Sequence, residues 1–180
     1  MTGYNVKKPE RGRYPMHSLA GLLNADFHQP SIDYADIIKA GQVLCRSIAV
    51  GKELFTRAMF NLFALNQDDH AKNWSFLMDD QGKWRLSPFY DVTFSPNPHN
   101  QHMTAFAGHG NSPPLKTIQH LAVQANFKNW QEAQQVMVKI TDALSCWPGI
   151  AASIGVDKTT AKMISQQLNM VYKQNKVLLQ

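Results

Sequence analysis

A chain of 180 residues, 44% hydrophobic and 17% charged, is long enough for one sizeable core and too apolar for a disordered segment. Its net charge of +5 comes partly from the two ends (Lys7, Lys8, Arg11 and Arg13; then Lys158, Lys162, Lys173 and Lys176), which reads as solvated faces, with no zinc-finger spacing or other direct nucleic-acid motif beside it. Cys45 and Cys146 stand alone, which excludes a disulfide framework and a cysteine zinc site. Both read as small buried apolar groups, and with no apolar leader and no run of membrane-spanning length the expected compartment is the cytoplasm.

Residues 1–15 are polar and basic, with Pro9 and Pro15, and read as a mobile N-terminal segment preceding a single domain over 16–180. Residues 16–23 suit a short helix, and Gln29, Pro30 and Ser31 a break. From Asp33 onward Tyr34, Ile37, Ile38, Leu44 and Ile48 recur at helical spacing. Gly51 is expected to interrupt, with a second helix starting near Lys52. Leu54, Phe55, Ala58, Met59, Leu62, Phe63 and Leu65 make that helix apolar on most of its circumference, as a central buried helix must be.

Two short aromatic and aliphatic runs, 74–78 and 83–86, flank Asp79, Asp80, Gln81 and Gly82 and predict a β-hairpin. Residues 94–114, rich in Pro, Asn, His and Gly, form either a long functional loop or a surface excursion. His99, His102 and His109 in this loop lack the spacing of a metal site. Helices are predicted over 115–125, along the stripe Trp130, Ala133, Met137, Ile140, Leu144 and Trp147, and after an Asp157 cap, where Met163, Ile164, Leu168 and Val171 should be buried.

The chemistry-bearing residues lie between the central helix and the long loop. Asp68 and Asn73 are five residues apart, the step between the catalytic Asp and the metal-binding Asn of a kinase catalytic loop. Asp91 follows after the hairpin, whose geometric role is to return the chain toward Asn73. An amide oxygen and a carboxylate suit Mg²⁺, which takes few protein ligands and keeps several waters. Lys72 can act as a point charge on a phosphoryl group or pair with Asp69 or Asp80. Taken singly, each has a plainer reading: Asp68 as a turn carboxylate capping amides, Asn73 as a turn amide, Asp91 as a loop carboxylate, His70 as a hydrogen-bonded structural residue.

The string Asp68-Asp69-His70-Ala71-Lys72-Asn73-Trp74-Ser75-Phe76-Leu77, followed by Trp84-Arg85-Leu86-Ser87-Pro88-Phe89-Tyr90-Asp91, resembles the catalytic and metal-binding segments of the HipA family. These are serine/threonine kinases acting as toxins of bacterial toxin–antitoxin systems. The resemblance implies a mainly α, protein-kinase-like C-terminal lobe with a small β-hairpin, using ATP and Mg²⁺. It implies Asp68 as catalytic base, His70 and Lys72 as supporting residues of the catalytic loop, and Asn73 and Asp91 as Mg²⁺ ligands at the nucleotide. It assigns Asp69 nothing. As partners it implies a HipB-like antitoxin and a protein substrate, with aminoacyl-tRNA synthetases among the family's targets.

The chain departs from the family pattern before Asp68. The early glycines Gly3, Gly12, Gly21, Gly41 and Gly51 are isolated, and Lys7, Lys8, Lys39 and Lys52 do not sit in strand-like apolar runs. It therefore reads as the C-terminal lobe without its nucleotide lid, needing an N-terminal lobe from elsewhere. Two other readings stand beside it: a catalytically silent binding or regulatory remnant, and a metal-dependent hydrolase built on Asp68, Asp69, His70 and Asp91.

Overall fold

The computed structural model describes residues 13–24 and 32–180. Most of the expected mobile basic segment, and the expected break at 29–31, lie outside the described residues. Helices dominate: α1 (Leu19–Leu22), α2 (Tyr34–Cys45), α3 (Ala49–Ala64), α4 (Leu115–Gln124), α5 (Trp130–Ser145), α6 (Trp147–Ser153) and α7 (Lys158–Gln174). Three short strands, β1 (Met16–Ser18), β2 (Ser75–Met78) and β3 (Trp84–Leu86), make one antiparallel sheet in the order β1-β2-β3.

The expected central helix is α3. Leu54, Phe55, Ala58, Met59, Leu62 and Phe63 are all buried, and α2, α4, α5 and α7 pack around them. α2 begins with a reciprocal capping box, in which Asp33 and Asp36 each accept from the other end of the first turn. It ends at Arg46 in the left-handed conformation (φ 49°).

The break between α2 and α3 therefore falls at Arg46 to Ile48, earlier than the sequence suggested, and Ile48 is 71% exposed rather than part of the core. Gly51 lies inside α3 and serves close approach. A Cβ there would come within 2.2 Å of Gln42 Nε2 and 3.0 Å of the Ala125 carbonyl oxygen. Glycine interrupts a helix only weakly when tertiary contacts favour the helix, and here the missing side chain lets α2 and the end of α4 close on α3.

Residues 16–18 are a strand rather than the start of a helix. The free edge of β2 captures them, pairing Met16 with Leu77, His17 with Phe76 and Ser18 with Ser75. Only Leu19–Leu22 remain helical, capped by Ser18. The hairpin forms where expected, with Asp79 Oδ1 accepting from the amides of Gln81 (3.0 Å) and Lys83 (2.9 Å) and Gly82 at φ 77°.

Cys45 is buried, and burial followed by the nearby Glu53 charge pushes its thiol up to about 11, as an inert packing group requires. Cys146 is exposed at the α5–α6 junction, contrary to the sequence expectation. No helix among the described residues is long and apolar enough to cross a membrane.

The contact of α2 with α3 is set by a second glycine. A Cβ on Gly41 would meet Leu54 Cδ1 at 2.4 Å and Val50 Cγ1 at 3.2 Å, both inside the core. Gly41→Ala should therefore lower unfolding stability by about 1–3 kcal/mol despite alanine's better helix propensity. Urea unfolding checks this; a stabilised variant would mean that α2 and α3 are not in close contact at this point.

Candidate active site

α3 ends at Leu65, which adopts the left-handed conformation (φ 55°) and turns the chain out of the helix axis. The next eight residues carry most of the predicted site. Asn66 is tied down at once, its Nδ2 donating to Asn61 Oδ1 (2.9 Å) and its Oδ1 accepting from Ser95 Oγ (2.9 Å). Gln67 clamps the loop beyond, with Oε1 accepting from the Asn97 amide (2.6 Å) and Nε2 donating to Asn100 Oδ1 (2.9 Å).

Asp68 and Asp69 have opposite environments. The Asp68 side chain is 61% exposed, whereas Asp69 is fully buried. Asp69 accepts from the Tyr34 hydroxyl, from His102 Nδ1 (2.8 Å) and from the Thr104 amide (3.1 Å). A carboxylate only accepts, so His102 carries a proton on Nδ1. The Asp69 carbonyl also accepts from Thr104 Oγ1 (2.5 Å) and Trp74 Nε1 (3.2 Å).

Beyond Asp69 comes a single 3₁₀ turn, Ala71–Asn73. It folds Asn73 back so that Nδ2 donates to the Asp68 carbonyl (2.9 Å), closing the five-residue step into a ring. Asn73 Oδ1 takes no hydrogen bond among the described residues. His70 Nε2 lies 3.8 Å from Asp68 Oδ1, and His70 Nδ1 is buried without a hydrogen-bond partner among the described residues.

Lys72 is exposed, and its carbonyl is where the second loop attaches. The Tyr90 hydroxyl donates to the Lys72 carbonyl at 2.6 Å and lies 2.5 Å from Ser75 Oγ. Arg57 Nη2 holds the Ser87 carbonyl (2.9 Å), and its guanidinium covers the Phe89 ring at 5.1 Å. The hairpin thus returns the chain onto residues 72–75, as its spacing suggested. Asp91 follows in the left-handed conformation (φ 55°), with an exposed carboxylate that makes no ion pair or hydrogen bond among the described residues.

The two loops are pinned to one another through Tyr90, and they carry the Asp68 and Asp91 carboxylates and Asn73 Oδ1, hard oxygen donors of the type Mg²⁺ takes. No group of three His, Cys, Asp or Glu able to hold a metal exists among the described residues. The hydrolase reading loses Asp69, whose oxygens are taken by Tyr34, His102 and Thr104.

Over residues 4–168 the chain matches the family described as HipA-like C-terminal domain. It belongs to that family. Among solved structures, this HipA-like domain is similar to HipA of Shewanella oneidensis, determined in a complex of HipA, HipB and operator DNA. The TM-score is 0.70 at 16% identity, covering 97% of this chain and 46% of that one. The HipA-like domain thus spans less than half the length of that relative. A search of curated proteins returns no match.

Sequence reasoning about this HipA-like domain missed the residues that hold the loops. Asp69 had no role in the kinase reading; Tyr34 was an apolar helix position, and His102 one of three loop histidines. Within residues 94–114 the middle is anchored to the core: His102, Thr104 and Phe106 are buried, and Phe106 packs on Tyr34 at 4.4 Å between ring centroids, while the flanks are largely exposed. The alternation of His102, Thr104 and Phe106 was the available signal, a period-two pattern of inward residues inside a segment otherwise dominated by turn formers.

Burial, then the adjacent Asp69 charge, raises the Tyr34 hydroxyl well above its ordinary pKa of 10.0, so it stays a donor. A raised folded-state value means that this stabilisation is fully present below pH 10.0 and is lost as pH rises through the folded-state value. Between pH 10.0 and the folded-state value, wild type should lose about 1.4 kcal/mol more per pH unit than Tyr34→Phe does. The variant itself should be about 1–3 kcal/mol less stable at neutral pH, since Asp69 loses a donor. Urea unfolding from pH 7 to 11 measures both; parallel curves would show that Tyr34 ionises freely.

Proposed function

We propose that this chain is the catalytic lobe of a HipA-type serine/threonine protein kinase, transferring the γ-phosphoryl of ATP to a protein hydroxyl. The main support is the bond from Asn73 Nδ2 to the Asp68 backbone carbonyl (2.9 Å), which closes the five-residue step between Asp68 and Asn73 into one compact loop. The tether of Tyr90 to the same loop brings the segment that carries Asp91 toward it. Phosphoryl transfer asks little covalent chemistry of a protein, and placing a few charges is most of the task.

In this reading Asp68 accepts the proton of the attacking hydroxyl and orients it, its exposure leaving room for a substrate side chain. His70 steadies Asp68 through Nε2. Lys72 offers its ammonium to the transferring phosphoryl as a point charge. Asn73 Oδ1 and the Asp91 carboxylate would hold Mg²⁺, which when bound neutralises charge on the nucleotide's phosphate oxygens. The lobe that covers the nucleotide comes from chain beyond these residues or from a separate protein. The partner is an antitoxin of the HipB type, as in the Shewanella oneidensis complex, and the target is a protein substrate, with aminoacyl-tRNA synthetases the first candidates. The expected compartment is the cytoplasm.

Thermal unfolding with and without Mg²⁺·ATP tests the metal half of this site. A ligand at ~100 times its dissociation constant stabilises the folded state by roughly 2.7 kcal/mol, or about 5–10 °C for a domain of this size. The shift should appear in wild type and vanish in Asp91→Asn, a substitution that tolerates the same left-handed backbone. With a nucleotide-covering lobe added, Asp68→Asn should keep the shift while losing at least about 10²-fold in phosphotransfer. Absence of any shift, with no transfer on adding the lobe, would instead leave the chain a silent remnant of such a kinase.

A further inference from the structure

α5 and α7 both pack on α3 and are joined through α6, yet along most of their length they stand apart from one another. The gap is a cleft of about 480 Å³, floored by Phe63 of α3 and closed at one end by Trp147 and Pro148. Small-molecule sites measure about 300–1,000 Å³. The cleft is open because α7 is only partly covered. Of its 17 residues Val171 alone is fully buried, and Met163, expected in the core, is 43% exposed.

The walls are two matching stripes. α5 lends Val138, Thr141, Asp142 and Ser145, one face at steps of three and four. Opposite them, α7 lends Ser165, Leu168, Asn169 and Tyr172 at the same spacing. Each stripe runs about 10 Å along its helix, a span that together with the volume suits a small ligand.

The polarity of the walls selects the ligand. Thr141 Oγ1 donates to the Val138 carbonyl (2.9 Å), Ser145 Oγ to Asp142 (2.6 Å) and Ser165 Oγ to Ala161 (2.8 Å). Trp147 Nε1 is likewise committed to the Ala161 carbonyl (3.3 Å). These hydroxyls have used their only protons on their own helices, so what they offer a ligand is lone pairs.

Asp142 accepts only, and it has no ion-pair partner among the described residues. Lys139, the one basic residue of α5, lines an adjoining hollow that shares Val138 with the cleft, and no lysine of either helix lines the cleft itself. Asn169 and the Tyr172 hydroxyl can act either way. The cleft is thus rich in acceptors, poor in donors and walled by aromatic rings.

We propose that this cleft binds an organic ammonium carried on an apolar body. The body rests on Phe63, Leu168 and the Trp147 ring. The ammonium donates to the Asp142 carboxylate and the hydroxyl lone pairs, with the Trp147 and Tyr172 faces adding cation–π attraction. This site is separate from the loops that carry Asp68 and Asp91, and it stands whether or not the chain transfers phosphate.

Fluorescence titration of the full chain with dansylcadaverine, an aromatic body with a terminal ammonium, tests the proposal against N-butyl dansylamide, which lacks the charge. The ammonium probe should bind saturably, be displaced by phenethylamine, and bind about fivefold to tenfold tighter than the neutral one, the worth of one exposed ion pair plus one cation–π contact. Asp142→Asn should close most of that gap without moving the melting temperature, and Ser165→Leu, which fills the cleft, should weaken both probes. Equal affinities for the two probes, indifference to Asp142→Asn, or no saturable binding at millimolar concentration would each overturn the proposal.

Discussion

A single buried carboxylate organises this domain. Leaving Asp69 charged inside the protein costs several kcal/mol unless donors replace the water it gives up, and three are provided by Tyr34, His102 and Thr104. They come from different parts of the chain: the first residue of α2 and the long loop beyond the hairpin. The bond from Trp74 to the Asp69 carbonyl adds the approach to β2. Because Asp68 and Asp69 are neighbours in a non-helical stretch, anchoring one inward turns the other outward. The exposure of Asp68 is thus a consequence of the burial of Asp69.

The network extends back into the core. Tyr34 accepts from Asn61 Nδ2 (3.1 Å), Asn61 accepts from Asn66, and Asn66 accepts from Ser95. α3 is rigid because its apolar side chains are packed on nearly every side, and its last turn supplies Asn61 to this chain of bonds. Arg57, one turn earlier, holds the second loop through the Ser87 carbonyl. The same helix therefore positions both site loops, and the apolar content of α3 is what makes the polar site precise. On its other side Phe63 floors the cleft between α5 and α7, so one helix underlies two regions of different chemistry.

Where the sequence pattern was strong, it matched the structure. The apolar circumference of α3, the turn chemistry of Asp79 to Gly82 and the Asp157 cap all act locally, so they are legible in short windows. The HipA-like loop string was legible for the same reason, its residues being contiguous. What escaped depends on contacts distant in sequence. Strand β1 exists because β2 has a free edge some 60 residues away. Gly51 tolerates the helix because of Gln42 and Ala125, neither visible in its own window. Asp69 could not be distinguished from Asp68 by pattern, since only Tyr34, His102 and Thr104, 33 to 35 residues away, separate their fates.

The claim that Asp69 holds the two halves of the site together is tested most directly by native-state hydrogen exchange on wild type and Asp69→Asn. In wild type the Thr104 amide should exchange only in large openings, together with the amides of Phe106 and Met103. In the variant, protection over residues 95–106 should fall by about 10²-fold or more, the equivalent of roughly 3 kcal/mol from a broken buried carboxylate network, while α3 and α5 keep theirs. Rapid exchange at Thr104 in wild type, or unchanged protection of the loop in Asp69→Asn, would contradict the account.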